Sequence, residues 1–264
     1  MQQKILRKLH EIEKTENVRI LLAIESGSRV WGFASTDSDY DVRFIYVRAQ
    51  EEYLRLDPVR DVIELPLDPV FDINGWDLQK ALRLMYKSNP TLFEWLASPI
   101  VYMETDFADK LRNRRNDYFS VKHSLYHYLS MATGNYREFL QTDMVKAKKY
   151  FYVLRPILAC RWILEKQTPP PMLFSELAKA ELPDKIKAEV EELLSLKMNA
   201  PEIRKIPRID SINEYLEQSM VEIKEEAQKL KETKVTTWDM LNEMFLEEVR
   251  LQECEACSNL INHK

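Results

Sequence analysis

The stretch from Ile24 to Arg48, IESGSRVWGFASTDSDYDVRFIYVR, holds two of the four glycines in a chain of 264 residues. Its aspartates alternate, at Asp37, Asp39 and Asp41, and lead into a run of β-branched and aromatic residues. The preceding run VRILLAI (18–24) is continuously apolar and of strand length, and YDVRFIYVR (40–48) reads as a second strand. Gly27 and Ser28 end the first strand, and SRVWGF reads as the start of a short helix. A strand–Gly–Ser–helix turn exposes backbone N–H groups and a helix N-terminus, both of which bind phosphate. Gly27 lets backbone approach the phosphate, so a β-branched residue there is expected to block it and to leave metal binding intact. The G-K-[ST] ending of a Walker A loop is missing, and so is G-x-G-x-x-G.

Strand side chains alternate faces, which puts Asp39, Asp41 and Arg43 on one face and Tyr40, Val42, Phe44 and Tyr46 on the other. The second face is apolar enough to pack. Two carboxylates at i, i+2, with alpha carbons about 6–7 Å apart, can converge on one or two divalent ions. Mg²⁺ suits one or two carboxylates plus substrate phosphates. Asp72, in the strand-like VFDIN, is a third carboxylate; an acid between apolar neighbours is costly unless paired or metal-bound. Asp77 competes for that role, but at a helix start the helix dipole already accounts for it. Arg29 has two readings, a phosphate contact or an exposed helix-start arginine, and Arg43 is placed to pair with Asp41.

Outward from this stretch, residues 3–15 have helical amphipathic spacing. DVIELPL (61–67), PVFDIN (69–74) and IVYM (100–103) read as short strands. A helix is expected to open on Gly75, to run to about Lys87 and to break at Asn89-Pro90. From Asp106 strand signals vanish, and helices are expected, broken at QTPPPM (167–172) and KMNAPEIRKIPR (197–208). The expected class is α+β, with a small mixed-sheet domain over residues 1–110 and an all-helical domain over 111–264. Composition is ordinary for a globular chain, 45% hydrophobic and 31% charged. No apolar run approaches the roughly 18 residues that cross a membrane, and the N-terminus lacks the apolar core of a signal peptide, so a cytoplasmic location without membrane contact is expected.

Three cysteines make no disulfide framework. Cys254-x-x-Cys257 with His263 offers three donors where a structural zinc site takes four, and reads as incidental. His123 and His127 share a helix face without the glutamate of H-E-x-x-H and read as packing or surface residues. Net charge is −5, unevenly spread. Residues 110–166 hold 12 Lys/Arg against 4 Asp/Glu, and residues 214–255 hold 12 Asp/Glu against 5 Lys/Arg. The basic block suits a phosphate-rich partner or is a solvated helix face.

Gly27-Ser28, a gap of ten residues, Asp39-Tyr40-Asp41-Val42 and the later Asp72 together resemble the nucleotidyltransferase superfamily, whose fold is best known from DNA polymerase beta. The longer strings ESGSRVWGFASTDSDYDVRFIYVR and DINGWDLQKALRLMYKSNPTLFEWLASP are similar to its RNA-repair-associated subgroup, and the likeness extends into KKYFYVLRPILACRWI (148–163). The resemblance implies a mixed-sheet catalytic domain with a helical domain closing the nucleotide cleft. It makes Gly27 and Ser28 the triphosphate-binding pair, with Arg29 beside them. It makes Asp39, Asp41 and Asp72 the catalytic carboxylates and ligands of two Mg²⁺ or Mn²⁺ ions. From the helical side, Tyr152 would stack on the base and Lys149 or Arg155 would touch phosphate, or else Tyr152 is a packed tyrosine with solvated charges around it. The implied reaction is attack of a hydroxyl on the α-phosphate of a nucleoside triphosphate, ATP foremost, with pyrophosphate leaving and RNA as the favoured acceptor. Two further readings are a catalytically inactive nucleotide- or partner-binding regulator on the same fold, and a two-metal phosphodiesterase, against which the Gly-Ser turn argues.

Overall fold

The computed structural model describes residues 1–35, 37–66, 68–199, 205–231 and 237–262, with side chains described to residue 253. Cys254, Cys257 and His263 therefore lie outside the described side chains. The chain opens with α1 (Gln2–Glu16), whose Ile5, Leu9 and Ile12 recur at helical spacing and are buried. Asn17 ends it in the left-handed conformation, φ 51°, its N–H returning to the Glu13 carbonyl. Then come β1 (Val18–Glu25), α2 (Gly27–Trp31), β2 (Tyr40–Arg48), α3 (Gln50–Tyr53), β3 (Val62–Glu64) and β4 (Phe71–Asp77). α4 (Leu78–Tyr86), α5 (Pro90–Leu96) and β5 (Val101–Glu104) complete this half.

The five strands form one mixed sheet in the order β3-β4-β2-β1-β5. β2 lies antiparallel to β1 and parallel to β4. The expected alternation along β2 holds: Val42, Phe44 and Tyr46 are fully buried against the α1 side. Ile45 and Val47 face the opposite side, where Leu78, Leu82, Phe93 and Trp95 cover the sheet. Asp41 and Arg43 begin that second row and emerge at its end.

Two expectations near Gly75 are corrected. The strand does not stop at Asn74 but continues through Gly75 to Asp77. Gly75 is there for packing: a Cβ would lie 2.1 Å from Cε2 of Phe44, whose ring occupies that space. The helix begins after Asp77, which caps it by accepting the Gln79 N–H at 2.7 Å. That cap is the local role expected for Asp77. The break at Asn89-Pro90 falls as expected, with Asn89 capping α5 and Pro90 at its first turn.

The second half holds α6 (Asp106–Tyr118), α7 (Val121–Phe139), β6 (Met144–Lys146), α8 (Ala147–Lys166), α9 (Phe174–Glu181), α10 (Asp184–Asn199), β7 (Lys205–Pro207), α11 (Asp210–Lys229) and α12 (Asp239–Asn262). It is not purely helical, because β6 and β7 pair as a small antiparallel ribbon. α7, α8 and α11 share a core with Phe33, so the loop after α2 is anchored in the helical half. A boundary at residue 110 is crossed by the last helix. α12 returns to the sheet half, where Leu241, Met244 and Val249 join its core. Trp238 stacks on Tyr86 at 3.8 Å, and Arg19 pairs with Glu248 at 2.8 Å.

The two charge blocks also meet. Lys110 pairs with Glu247 at 2.5 Å and Arg161 with Glu222 at 2.9 Å. Arg112 is held by Glu104 and Asp109, and Arg114 by Asp117. Much of the basic middle is thus neutralised within the fold. No helix among the described residues is long and apolar enough to cross a membrane.

Candidate active site

β1 ends in Glu25, whose side chain is fully buried. Its Oε1 accepts the Asp41 N–H at 3.0 Å and its Oε2 accepts the Tyr102 hydroxyl, while the Ser26 N–H donates to the Asp41 carbonyl at 2.8 Å. Burial pushes the Glu25 carboxyl above its ordinary range, against the lowering effect of its two donors. The same burial, with the Glu25 carboxylate beside it, pushes the Tyr102 hydroxyl up.

Gly27 follows at φ +64°, in the left-handed region that side chains rarely adopt. A Cβ there would lie 2.0 Å from Asp41 Oδ2. The space beside Gly27 is therefore filled by Asp41, not held open for a phosphate alone, and a side chain at 27 disturbs the carboxylate as well. The expectation that metal binding survives such a change is corrected on this geometry.

Arg29 is committed to the loop that leads into β2. Its Nε donates to the Asp39 carbonyl at 3.0 Å and its Nη2 to the Ser38 carbonyl at 2.6 Å, and its guanidinium lies 3.7 Å from the centre of the Tyr40 ring. Within the loop, the Ser35 and Ser38 hydroxyls bond each other at 2.9 Å. The buried Lys197 of α10 reaches both, at 3.3 and 3.4 Å. Ser28 is half-buried at the turn, and Asp39 is exposed at the mouth of β2.

Parallel pairing of β2 with β4 sets Asp41 opposite Asp72. One guanidinium nitrogen bridges them: Arg43 Nη2 lies 3.1 Å from Asp41 Oδ1 and 2.7 Å from Asp72 Oδ2. Arg43 Nη1 also donates to the Asp72 carbonyl at 2.8 Å. Arg43 thus pairs with Asp41, as the spacing suggested, and with Asp72 too. Asp72 is not a buried acid, its side chain being 47% exposed. Two carboxylates already converging on one cation are a donor set that fits Mg²⁺ or Mn²⁺ completed by substrate phosphates. Asp39 precedes β2, and among the described residues no three His, Cys, Asp or Glu side chains surround one point.

From the helical side, Tyr152 meets Trp31, the last residue of α2, edge-on at 6.2 Å. The Lys149 ammonium lies 3.5 Å from the Phe139 ring centre and 4.7 Å from that of Tyr152. Arg155 stands apart from the expected phosphate contact. It is 3% exposed, paired with Glu94 at 2.6 Å and packed under Trp31 at 4.8 Å. Tyr128 donates to the same Glu94 oxygen at 2.8 Å. The guanidinium is used to join α8 to α5. Arg155→Ala would strand the Glu94 carboxylate, and is expected to destabilise the protein by about 3 kcal/mol. Urea unfolding measures this, and an unchanged midpoint would show that the pair adds nothing.

Glu25, Tyr102 and Lys197 escaped the sequence reading. Glu25 closes an apolar run, and the cost that marks Asp72, an acid beside apolar neighbours, applies better here because Glu25 is the one that is buried.

A family model described as the RNA repair pathway DNA polymerase beta family matches residues 1–247. The uncharacterized protein YcgL of Bacillus subtilis (strain 168) is 47% identical over 251 residues, which cover 94% of this chain and 96% of that protein. A solved nucleotidyltransferase-like protein from Exiguobacterium sibiricum aligns over 98% of this chain and 91% of its own at 13% identity, with a TM-score of only 0.35. On the extent of the family match and the identity to YcgL, the chain belongs to the RNA repair pathway DNA polymerase beta family.

Proposed function

We propose that the protein is a divalent-metal-dependent nucleotidyltransferase that moves a nucleoside monophosphate from a triphosphate, ATP foremost, to a hydroxyl of RNA. The observation that carries this reading is the seating of the Gly27 turn directly on the Asp41 carboxylate, with Asp72 sharing the same cation. Phosphate-binding backbone and metal-binding carboxylate are thereby in contact. Asp41 and Asp72 would hold the metal, with Asp39 approaching from the strand mouth. Bound metal would neutralise charge on the entering and leaving oxygens. Gly27, Ser28 and the α2 backbone receive the triphosphate. Arg29 fixes the Ser38–Asp39 carbonyls and so aims Asp39 and Asp41 along one edge. Glu25 holds the Asp41 backbone, and Tyr152 beside Trp31 offers an aromatic edge for the base.

The acceptor rests on the family description together with the basic Lys148 and Lys149 in the first turn of α8, beside Tyr152. Glu248 of α12 packs on Arg19, at the end of β1 away from Glu25. The test incubates the protein with each α-labelled triphosphate, Mg²⁺ or Mn²⁺, and pooled RNA or cell extract, and asks what becomes labelled. Label on RNA supports the reading; label on protein or a small molecule overturns the acceptor. Binding of RNA is expected to weaken as salt rises, and the Lys148→Ala/Lys149→Ala variant to reduce the log–log slope by about 2. An unchanged slope would remove these lysines from the interface. An inactive regulator on this fold would bind the triphosphate and label nothing.

A further inference from the structure

We propose that the cavity at the far end of β2 from Asp41 is a second anion site, which takes a phosphate group on Arg48 and Arg83. Arg48 closes β2 seven residues after Asp41, which places it about 23 Å away along the strand. The cavity measures about 470 Å³ and is bordered by α3, the loop before β3 and the first turns of α4.

Two arginines of its wall stand outside the ion pairs there. The wall carries four acids, and each has a hydrogen-bond or ion-pair partner; burial pushes the Asp77 carboxyl up, and the nearby Arg48 charge opposes this. Glu52 and Asp57 both hold Arg55, at 3.3 and 2.6 Å. Asp61 holds Lys80 at 3.1 Å. Asp77 caps α4 and accepts the Tyr53 hydroxyl at 2.9 Å. Among the wall's cations, Arg60 is taken by Glu64 at 3.2 Å.

Arg48 and Arg83 remain. No carboxylate among the described residues lies within ion-pair distance of Arg48. Its Nη2 reaches only the Tyr46 hydroxyl and the Arg60 carbonyl, each at 3.5 Å, the limit of a hydrogen bond. Its Nε is buried with no acceptor at all, a costly state that signals a missing partner. The Arg83 guanidinium, exposed on α4, has no partner among the described residues. Two guanidiniums that line one cavity and hold no salt bridge are groups that can receive a phosphate through their planar forks. The volume admits a phosphomonoester of mononucleotide size.

The test is calorimetric titration in phosphate-free, metal-free buffer, with inorganic phosphate and separately with adenosine 5′-monophosphate. Saturable one-to-one phosphate binding is expected. Arg48→Gln/Arg83→Gln should weaken it by about tenfold or more, and Arg48→Lys, which keeps charge but loses the fork, should weaken it less. Asp41→Asn should leave it unchanged. Tighter binding of the monophosphate than of phosphate supports a cavity that also holds the nucleoside, and equal binding supports recognition of phosphate alone. Absence of saturation by about 10 mM, an unchanged affinity in the double variant, or loss of binding in Asp41→Asn would each overturn the proposal. If the double variant fails to melt cooperatively, Arg83→Gln at its exposed position decides the matter alone.

Discussion

Gly27→Ala is expected to cut the proposed nucleotidyl transfer sharply and to weaken the fold in the same step. The backbone at 27 sits at φ +64°, where a side chain costs about 1–2 kcal/mol. The methyl would also arrive 2.0 Å from Asp41 Oδ2, so the carboxylate or the turn has to move. A misplacement of about 1 Å in a site that works by positioning costs about 10²-fold in rate. Transfer should therefore fall by about 10²-fold or more, with a drop of several degrees in Tm. Because the collision is with Asp41 itself, Mn²⁺ and triphosphate affinity should fall together in calorimetric titrations. Retained Mn²⁺ affinity would show that Asp41 accommodates the methyl, and would return Gly27 to a role at the phosphate only.

Asp41→Asn separates chemistry from scaffold. Loss of one preorganised charged group in a catalytic site costs on the order of 10³-fold, and on the proposed function Asp41 would hold metal against the phosphates. Stability should barely change. Arg43 keeps Asp72 at 2.7 Å when Asp41 is neutralised, and the Asp41 side chain is 29% exposed, so the lost pair is worth no more than about 1 kcal/mol. A melting curve close to wild type beside a dead enzyme is the expected pair of results. A variant that loses its cooperative transition would place Asp41 in the scaffold instead. Crowded aspartates alone would suggest relief of repulsion on removing one, but Arg43 bridges this pair and offsets one of its two charges.

Short-range patterns carried much of the fold. The apolar run before Glu25, the alternation from Tyr40 to Tyr46 and the Asn89-Pro90 break are local signals, and local propensity decides them. The Gly-Ser turn and Asp41 were legible because chain spacing fixes them. What local pattern missed lay in long-range packing. Gly75 has the local signature of a helix opener, but the Phe44 ring from the neighbouring strand fills the space beside it. Arg155 looked like a solvent-facing cation one helical face from Tyr152, yet Glu94 from a distant helix neutralises and buries it. The basic and acidic blocks read as separate surfaces because nothing in the linear order shows that α12 folds back to bring Glu247 onto Lys110. Glu25 was hidden in plain pattern, since an acid at a strand end looks like a boundary until Tyr102 and the Asp41 N–H converge on it.

Release of pyrophosphate from ATP, followed with Mg²⁺ and an RNA acceptor for the wild type and for Asp41→Asn, tests most directly whether the Gly27–Asp41–Asp72 edge transfers nucleotides. Acceptor-dependent release by the wild type, lowered by about 10³-fold in Asp41→Asn at an unchanged melting temperature, is the expected result. Equal release by the two proteins, or tight ATP binding by a wild type that releases no pyrophosphate with any acceptor, would contradict it.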